Sequence, residues 1–413
     1  MTTISREDCL KRDGADPLAA WRQRFVLPEN LIYLDGNSLG PLPTTTAGRL
    51  DDAVREEWGQ GLIRSWNAAG WIDLPRRLGA KLAPLIGAAP HEVTVADSTS
   101  INLFKLLIGA LRLRPERRVI VSEAGNFPTD LYIAQGIVGL LGGDYQIRYA
   151  EPDDVAAAID RDVAVVMLTQ VDFRSGRMHD MAAVTKAVQA AGALMLWDLA
   201  HSAGAFPVDL TGAGADFAVG CGYKYLNGGP GAPAFLFVAE RHQDAMIAPL
   251  SGWMGHARPF DFTRDYTPAA GIDRQLCGTP PVLSMTALDA ALDIWAEVDM
   301  AEVRTKSMAL SDLFIALVED RCAGHGFTLA SPRPAEARGS QVSFAHADGY
   351  AIMQALIARG VIGDFRAPDL LRFGFAPLYL RYVDIWDAVE VLREVMESRA
   401  WDTTEFKQRA AVT

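Results

Sequence analysis

The stretch "MAAVTKAVQAAGALMLWDLAHSAG" (residues 181–204) decides the architecture. Its first half spaces small and apolar residues at helical period and stops at Gly192. Its second half is an unbroken apolar run, "ALMLWD" (193–198), that ends on an acid. A helix followed by a strand with no polar face is half of a βαβ unit, because only a strand covered on both sides lacks alternation. The same alternation extends in both directions. Strands are expected at 92–97, 118–123, 145–150, 163–168, 217–221 and 234–239. Helices are expected in "SINLFKLLIGAL", "PTDLYIAQGIVGLLG", "PDDVAAAID" and "MAAVTKAVQAAG". This predicts an α/β fold, a three-layer and mostly parallel sheet with helices on both faces. No helix separates the last two strands, so one of them is expected to run antiparallel.

After about residue 280 the pattern changes. "PPVLSMTALDAALDIWAEV" reads as a helix opened by prolines. Short strands in "TLASP", "QVSFAHA" and "LLRFGFAP" are interleaved with helices in "YAIMQALIARG" and "DIWDAVEVLREVMESRA". This predicts a smaller α+β C-terminal domain. The expected boundaries are an N-terminal segment 1–32, packing on the small domain or on a partner subunit, a large domain 33–278 and a small domain 279–413.

Composition narrows the function. The chain has 413 residues, 50% of them hydrophobic and 22% charged, with a formal net charge of −12. Such a charge argues against nucleic acid or an anionic membrane as a partner. No uncharged apolar run approaches the ~18 residues of a membrane span, and the N-terminal stretch lacks a signal-peptide core. A cytoplasmic protein is expected. The four cysteines, Cys9, Cys221, Cys277 and Cys322, have neither a C-x-x-C pair nor zinc-site spacing. No metal site is expected.

In a parallel α/β sheet, ligands meet the carboxyl ends of the strands. After the first strand, Thr99 and Ser100 stand where a helix begins. There, hydroxyls and free N–H groups make an anion site, although an ordinary N-cap has the same appearance. After the second, Phe127 precedes a helix whose first turn holds Asp130. The aromatic is placed to stack on a planar ring, and the acid is otherwise a favourable charge at the helix start. Thr169 follows the fourth strand. Asp198 ends the fifth, with His201 three residues on; that histidine also suits a turn cap. Lys224, in "CGYKYLN" (221–227), follows the sixth. Burying a lone ammonium between two strands is costly unless it is bonded. A lysine amine, an acid at the next strand end, a phosphate cradle and a stacking ring are together what pyridoxal 5'-phosphate requires. Neither G-x-x-x-x-G-K-[ST] nor a helix-opening G-x-G-x-x-G is present, so nucleotide readings lack support.

Several motifs then carry a resemblance. "YLDGNSLGPLP" (33–43), "FPTD" (127–130), "DLAH" (198–201), "YKYLNGGPGAP" (223–233), "GWMGH" (252–256), "CGTPP" (277–281) and "LLRFGFAPLY" (370–379) resemble the kynureninases, in order along nearly the whole chain. "DLAH" with "YKYLN" also suits relatives such as cysteine desulfurases, whereas "YLDGNSLGP", "FPTD" and "GWMGH" are more specific. The resemblance implies the fold of the aspartate-aminotransferase type, a homodimer with shared active sites, and hydrolysis of L-kynurenine to anthranilate and L-alanine in tryptophan catabolism.

The resemblance also implies roles for individual residues. Lys224 would hold the cofactor and shuttle protons. Asp198 would pair with its ring nitrogen, with Asp130 nearby, and Phe127 would stack on the ring. Thr99, Ser100 and Tyr223 would hold phosphate, with Trp253 reaching over from the partner subunit. Thr169 and His201 would line the pocket, and Tyr223 would also donate a proton. Arg372 would grip the substrate α-carboxylate with its planar fork. Asn37, Trp66 and Thr279 would meet the substrate, and Thr279 the cofactor as well. Eukaryotic members tend to have Asn where Thr279 stands and His near where Trp66 stands, so a preference for kynurenine over its 3-hydroxy form is expected. Two alternatives stand beside this reading. A cysteine desulfurase would need a nucleophilic thiol, for which Cys322 is the C-terminal candidate. A non-catalytic cofactor-binding module would not need the lysine, the acid and the arginine together.

Overall fold

The computed structural model describes residues 4–409. Residues 1–3 and 410–413, assigned above to the N-terminal segment and the small domain, lie outside it. The strands are β1 (Ile32–Tyr33), β2 (Val93–Val95), β3 (Val119–Glu123), β4 (Gln146–Ala150), β5 (Val163–Thr169), β6 (Leu194–Asp198), β7 (Phe217–Gly220), β8 (Phe235–Val238), β9 (Thr328–Leu329), β10 (Gln341–Ala345), β11 (Val361–Ile362), β12 (Asp364–Arg366) and β13 (Leu370–Gly374).

Seven strands form one sheet in the order β2-β8-β7-β6-β5-β3-β4. The pairs from β7 to β4 are all parallel, while β8 is antiparallel to both β7 and β2. Every residue of β5, β6 and β7 is buried, which is why these segments read as continuous apolar runs. The edge strand β4 is largely exposed and polar, as an unpaired edge in water requires. Helices Thr99–Leu113, Pro128–Leu141 and Met181–Ala190 cover the sheet. One expected helix does not form: 152–160 makes two short 3₁₀ turns, Pro152–Asp154 and Ala156–Ala158, before the chain extends at Ile159. A segment this short does not repay the cost of nucleating an α-helix.

The second sheet, β12-β13-β10-β9, is antiparallel. Helix Met300–Arg321, which periodicity did not reveal, is the longest element of this region and buries one broad face that includes Lys306, Ser307 and Ser311. Its Phe314 meets Phe373 at 4.8 Å and Phe375 at 5.4 Å between ring centroids. Helix Arg6–Gly14 lies against helix Tyr382–Glu397. Asp13 accepts from the Tyr382 and Val383 amides at 2.6 and 3.0 Å, so its carboxylate satisfies free N–H groups at that helix start.

β1 pairs in parallel with β11, in the register Ile32↔Val361 and Tyr33↔Ile362. This pairing delivers the "YLDGNSLGPLP" segment from the C-terminal strands to the lysine loop. There the Gly40 amide donates to the Tyr223 carbonyl at 2.8 Å. A Cβ on Gly40 would stand 2.3 Å from the Lys224 carbonyl oxygen, so this position admits only glycine without displacing the loop.

Candidate active site

β6 ends on Asp198 and β7 on Gly220, four residues before Lys224, so adjacent parallel strands present an acid and an amine at one sheet edge. Lys224 Nζ lies 3.0 Å from His201 Nε2. It stands 5.8 Å from the ring centre of Phe127 and 5.9 Å from that of Tyr223. Phe127 is 39% exposed and packs edge-on against Phe173.

Asp198 and Asp130 are both buried. Asp198 Oδ1 accepts from the Ala200 amide at 2.7 Å, and Asp130 Oδ2 lies 3.4 Å from Thr169 Oγ1. Burial, and then the neighbouring charge of Asp198, push the Asp130 carboxyl well above the ordinary range. Burial also raises Asp198, against the pull of the Lys224 ammonium. The two therefore titrate as a pair that holds a proton easily. His201 is driven well below its usual value by burial and then by Lys224, so it is a neutral imidazole. Burial raises the Tyr223 phenol, which stays protonated.

Three buried polar atoms in this group have no partner: Asp130 Oδ1, His201 Nδ1 and Ser202 Oγ. Beside the lysine at the carboxyl edge of the sheet, unpaired acceptors of this kind are open to a donor from a bound molecule. A protonated ring nitrogen is the kind of donor that two adjacent carboxylates lack. The donor set therefore fits pyridoxal phosphate.

Thr99 and Ser100 are the first two residues of helix Thr99–Leu113, which is capped by Ser98. Behind them Lys105, fully buried, donates to Asp97 Oδ2 and to the Gln275 carbonyl, each at 2.8 Å. It ties the helix start to the segment leading into Cys277–Thr279. That segment is bound in turn to the one carrying Trp253, since the Met254 amide donates to the Cys277 carbonyl at 3.1 Å. Trp253 is partly exposed against Phe260, Thr279 is exposed, and Trp66 packs on Trp71. Among the described residues no hydrogen bond or ring contact links Trp66, Trp253 or Thr279 to Lys224 within one chain.

Arg372 is 1% exposed, so it is no surface ion pair. Its Nε donates to Asp364 Oδ1 at 2.8 Å and its Nη2 to Asp364 Oδ2. Nη2 also reaches Ser38 Oγ at 2.8 Å, and Nη1 reaches the Phe173 carbonyl at 2.6 Å. In the amide orientation that satisfies both its ends, Asn37 Oδ1 accepts from Arg372 Nε at 3.0 Å. Asn37 thus belongs to the support of Arg372.

Sequence reasoning missed Asp364 and Asp35, which surround Arg372. It also missed Asn126, whose Oδ1 accepts from Thr169 Oγ1 at 2.6 Å and from the Phe127 amide at 2.7 Å. Lys105 had a legible signal, a single lysine inside the apolar run "LFKLLIGAL". Tyr225, beside the lysine, is core: its hydroxyl donates to the Ser340 carbonyl at 2.9 Å and ties the lysine loop to the residue that precedes β10. Cys322 is buried, and burial pushes its thiol up to about 12, the opposite of what a nucleophilic cysteine needs.

Comparison with known proteins finds relatives along the whole chain. A family model described as the kynureninase C-terminal domain matches residues 303–392. The kynureninase of Burkholderia mallei (strain SAVP1) is 58% identical over 414 residues, covering 99% of this chain and 100% of its own. That of Pseudomonas fluorescens is 55% identical, with both chains fully covered. In fold, the chain is similar to the apo cysteine desulfurase of Thermococcus onnurineus NA1, with a TM-score of 0.78 at 19% identity over 96% of this chain and 100% of that one. It is likewise similar to a C-DES mutant with glycine covalently linked to its PLP cofactor, with a TM-score of 0.77 at 18% identity over 90% and 99%. Among the described residues no helix is long and apolar enough to cross a membrane, and no cluster of side chains could hold a metal ion.

Proposed function

Because this chain belongs to the kynureninase family, we propose that it hydrolyses the Cβ–Cγ bond of L-kynurenine, giving anthranilate and L-alanine with pyridoxal 5'-phosphate as cofactor. The observation that carries the reading is the group made by Lys224, neutral His201 and the buried Asp130–Asp198 pair at one sheet edge.

When bound, the cofactor supplies an electron sink for the substrate Cα. Lys224 would hold it and would carry the proton at the substrate Cα. His201, a neutral acceptor 3.0 Å away, keeps the amine oriented. Asp198 would pair with the cofactor's ring nitrogen, with Asp130 beside it sharing the proton. Phe127 would pack against the cofactor, and Thr169, fixed by Asn126, would line its pocket. Thr99 and Ser100 offer hydroxyls and N–H groups to the phosphate, joined by Tyr223.

In the overall reaction the oxygen of water ends on the carboxyl carbon of anthranilate. Cβ gains a proton and becomes the methyl group of alanine. Tyr223 is suited to give that proton, because burial keeps its phenol protonated next to Lys224. Arg372 binds the substrate α-carboxylate. Trp253 would reach the site of a partner subunit, consistent with its separation from Lys224 within one chain. Trp66 and Thr279 would meet the aryl ring, favouring kynurenine over its 3-hydroxy form. The working unit is a cytoplasmic homodimer.

The test is anthranilate formation from kynurenine, 3-hydroxykynurenine turnover and alanine formation from cysteine, measured side by side on enzyme loaded with pyridoxal phosphate. Turnover of cysteine but not kynurenine would overturn the assignment.

A further inference from the structure

Behind the Arg372 clamp lies a buried cluster that the reaction as described does not use. Asp364 accepts from Arg372 Nε, Arg372 Nη2, Arg366 Nη2 at 2.7 Å and Ser38 Oγ at 2.7 Å, so this carboxylate is saturated with donors. Asp35, which follows β1 in the "YLDGNSLGPLP" segment, is linked to Asp364 through Ser38, whose amide donates to the Asp35 carbonyl at 2.9 Å and whose hydroxyl donates to Asp364 Oδ2 at 2.7 Å. Asp35 Oδ1 is buried without a partner, and no cation pairs with it among the described residues. Arg366 Nε is likewise buried and unpartnered. The other groups facing Asp35 are Tyr33 and Tyr379, both phenols raised by burial, and buried Tyr225.

A buried carboxyl with no cation of its own, set against a second carboxylate, is more stable as the neutral acid. The charge count then matters. Two guanidiniums against one ionised carboxylate leave one positive charge in the cluster, together with an unspent Arg366 donor. If Asp35 also ionised, that charge would be cancelled. We propose that Asp35 is a positioning residue whose proton, held against Asp364, preserves the net positive charge with which Arg372 and Arg366 attract the substrate α-carboxylate.

Burial and then the charge of Asp364 place the Asp35 carboxyl at about 7, while Arg372 and its hydrogen bonds overcome burial to hold Asp364 low. Substrate affinity through the carboxylate is therefore linked to pH near neutrality. It is present while Asp35 is protonated and lost as pH rises through that value.

This inference rests on Arg372 being the carboxylate clamp, so the experiment separates the two. On enzyme saturated with pyridoxal phosphate, the ratio of kcat/KM for kynurenine to that for its α-carboxamide is measured from about pH 6 to about pH 8.5. In the wild type the preference for the carboxylate should fall by up to about thirtyfold across that range, as the protonated fraction of a group titrating near 7 dictates. In Asp35→Asn it should be flat. A pH-independent preference in the wild type, which needs no variant to fold, would overturn the proposal. So would an Asp35→Asn profile that tracks the wild type. If Arg372→Met keeps the preference for the carboxylate, the clamp itself is wrong. If Arg372→Met abolishes the preference while Asp35→Asn behaves as the wild type, only the role of Asp35 falls.

Discussion

Lys224 Nζ donates to a histidine, His201, that burial and the same ammonium keep neutral. The amine is thus oriented without being neutralised by a carboxylate at contact distance. Replacing Lys224 by Ala should abolish anthranilate production and the visible absorbance of the lysine-bound cofactor. Lys224→Arg keeps charge and length but cannot form the covalent link, and should be equally inactive. Absorbance spectra with a fluorescence assay for anthranilate check both; turnover by either variant would sink the mechanism.

The Asp130–Asp198 pair predicts a pH signature in the enzyme without cofactor. The folded Asp130 carboxyl releases its proton well above the unfolded one. Between about pH 4, where the unfolded carboxyl titrates, and the raised folded value, the unfolded state binds fewer protons. Stability must fall as pH rises through that window. Denaturant unfolding of the apoenzyme should show this decline, and Asp130→Asn should reduce it. In the loaded enzyme, Asp198→Asn should lower kcat by about 10²-fold or more, the scale of a lost preorganised charge.

Gly40 touches the lysine loop with its backbone. Gly40→Ala would set a methyl 2.3 Å from the Lys224 carbonyl oxygen. Thermal unfolding should show a loss of about 1–3 kcal/mol, the usual range for overpacking. The activity of the remaining folded enzyme should fall with it, because the shifted atoms carry the lysine. An alanine variant with wild-type stability and turnover would contradict the close packing described here.

Cys322 separates this enzyme from the desulfurases that share its fold. Its thiol is buried and its proton firmly held. Cys322→Ala should cost about 1 kcal/mol of stability through a small cavity and leave kcat/KM for kynurenine unchanged. A large loss of turnover at unchanged stability would require a chemical role for this sulfur.

Much of the scaffold is a local property and is therefore written in the chain. Apolar runs without alternation identify β5, β6 and β7, because burial on both faces forbids polar residues there. The polar residues at or just beyond the ends of these runs, Thr169, Asp198 and Lys224, follow from strand direction, since parallel strands present their carboxyl ends together. Local pattern misleads at 152–160, where a helical composition is too short to propagate. It is silent for Met300–Arg321, whose buried face carries Lys306, Ser307 and Ser311 among its apolar residues, so the sequence shows no clean apolar stripe.

The sequence alone therefore determined the alternating α/β order, the strand-end chemistry and the motifs that mark the family. Tertiary structure alone decided which distant groups share one environment. Asp35, Asp364 and Arg372 meet because β1 pairs with β11 and β12 with β13. Gly40 likewise meets Lys224, and Tyr225 meets Ser340, across more than a hundred residues. Spacing in a chain reports period and propensity. The charge state of a buried carboxyl depends on neighbours that only folding brings within reach.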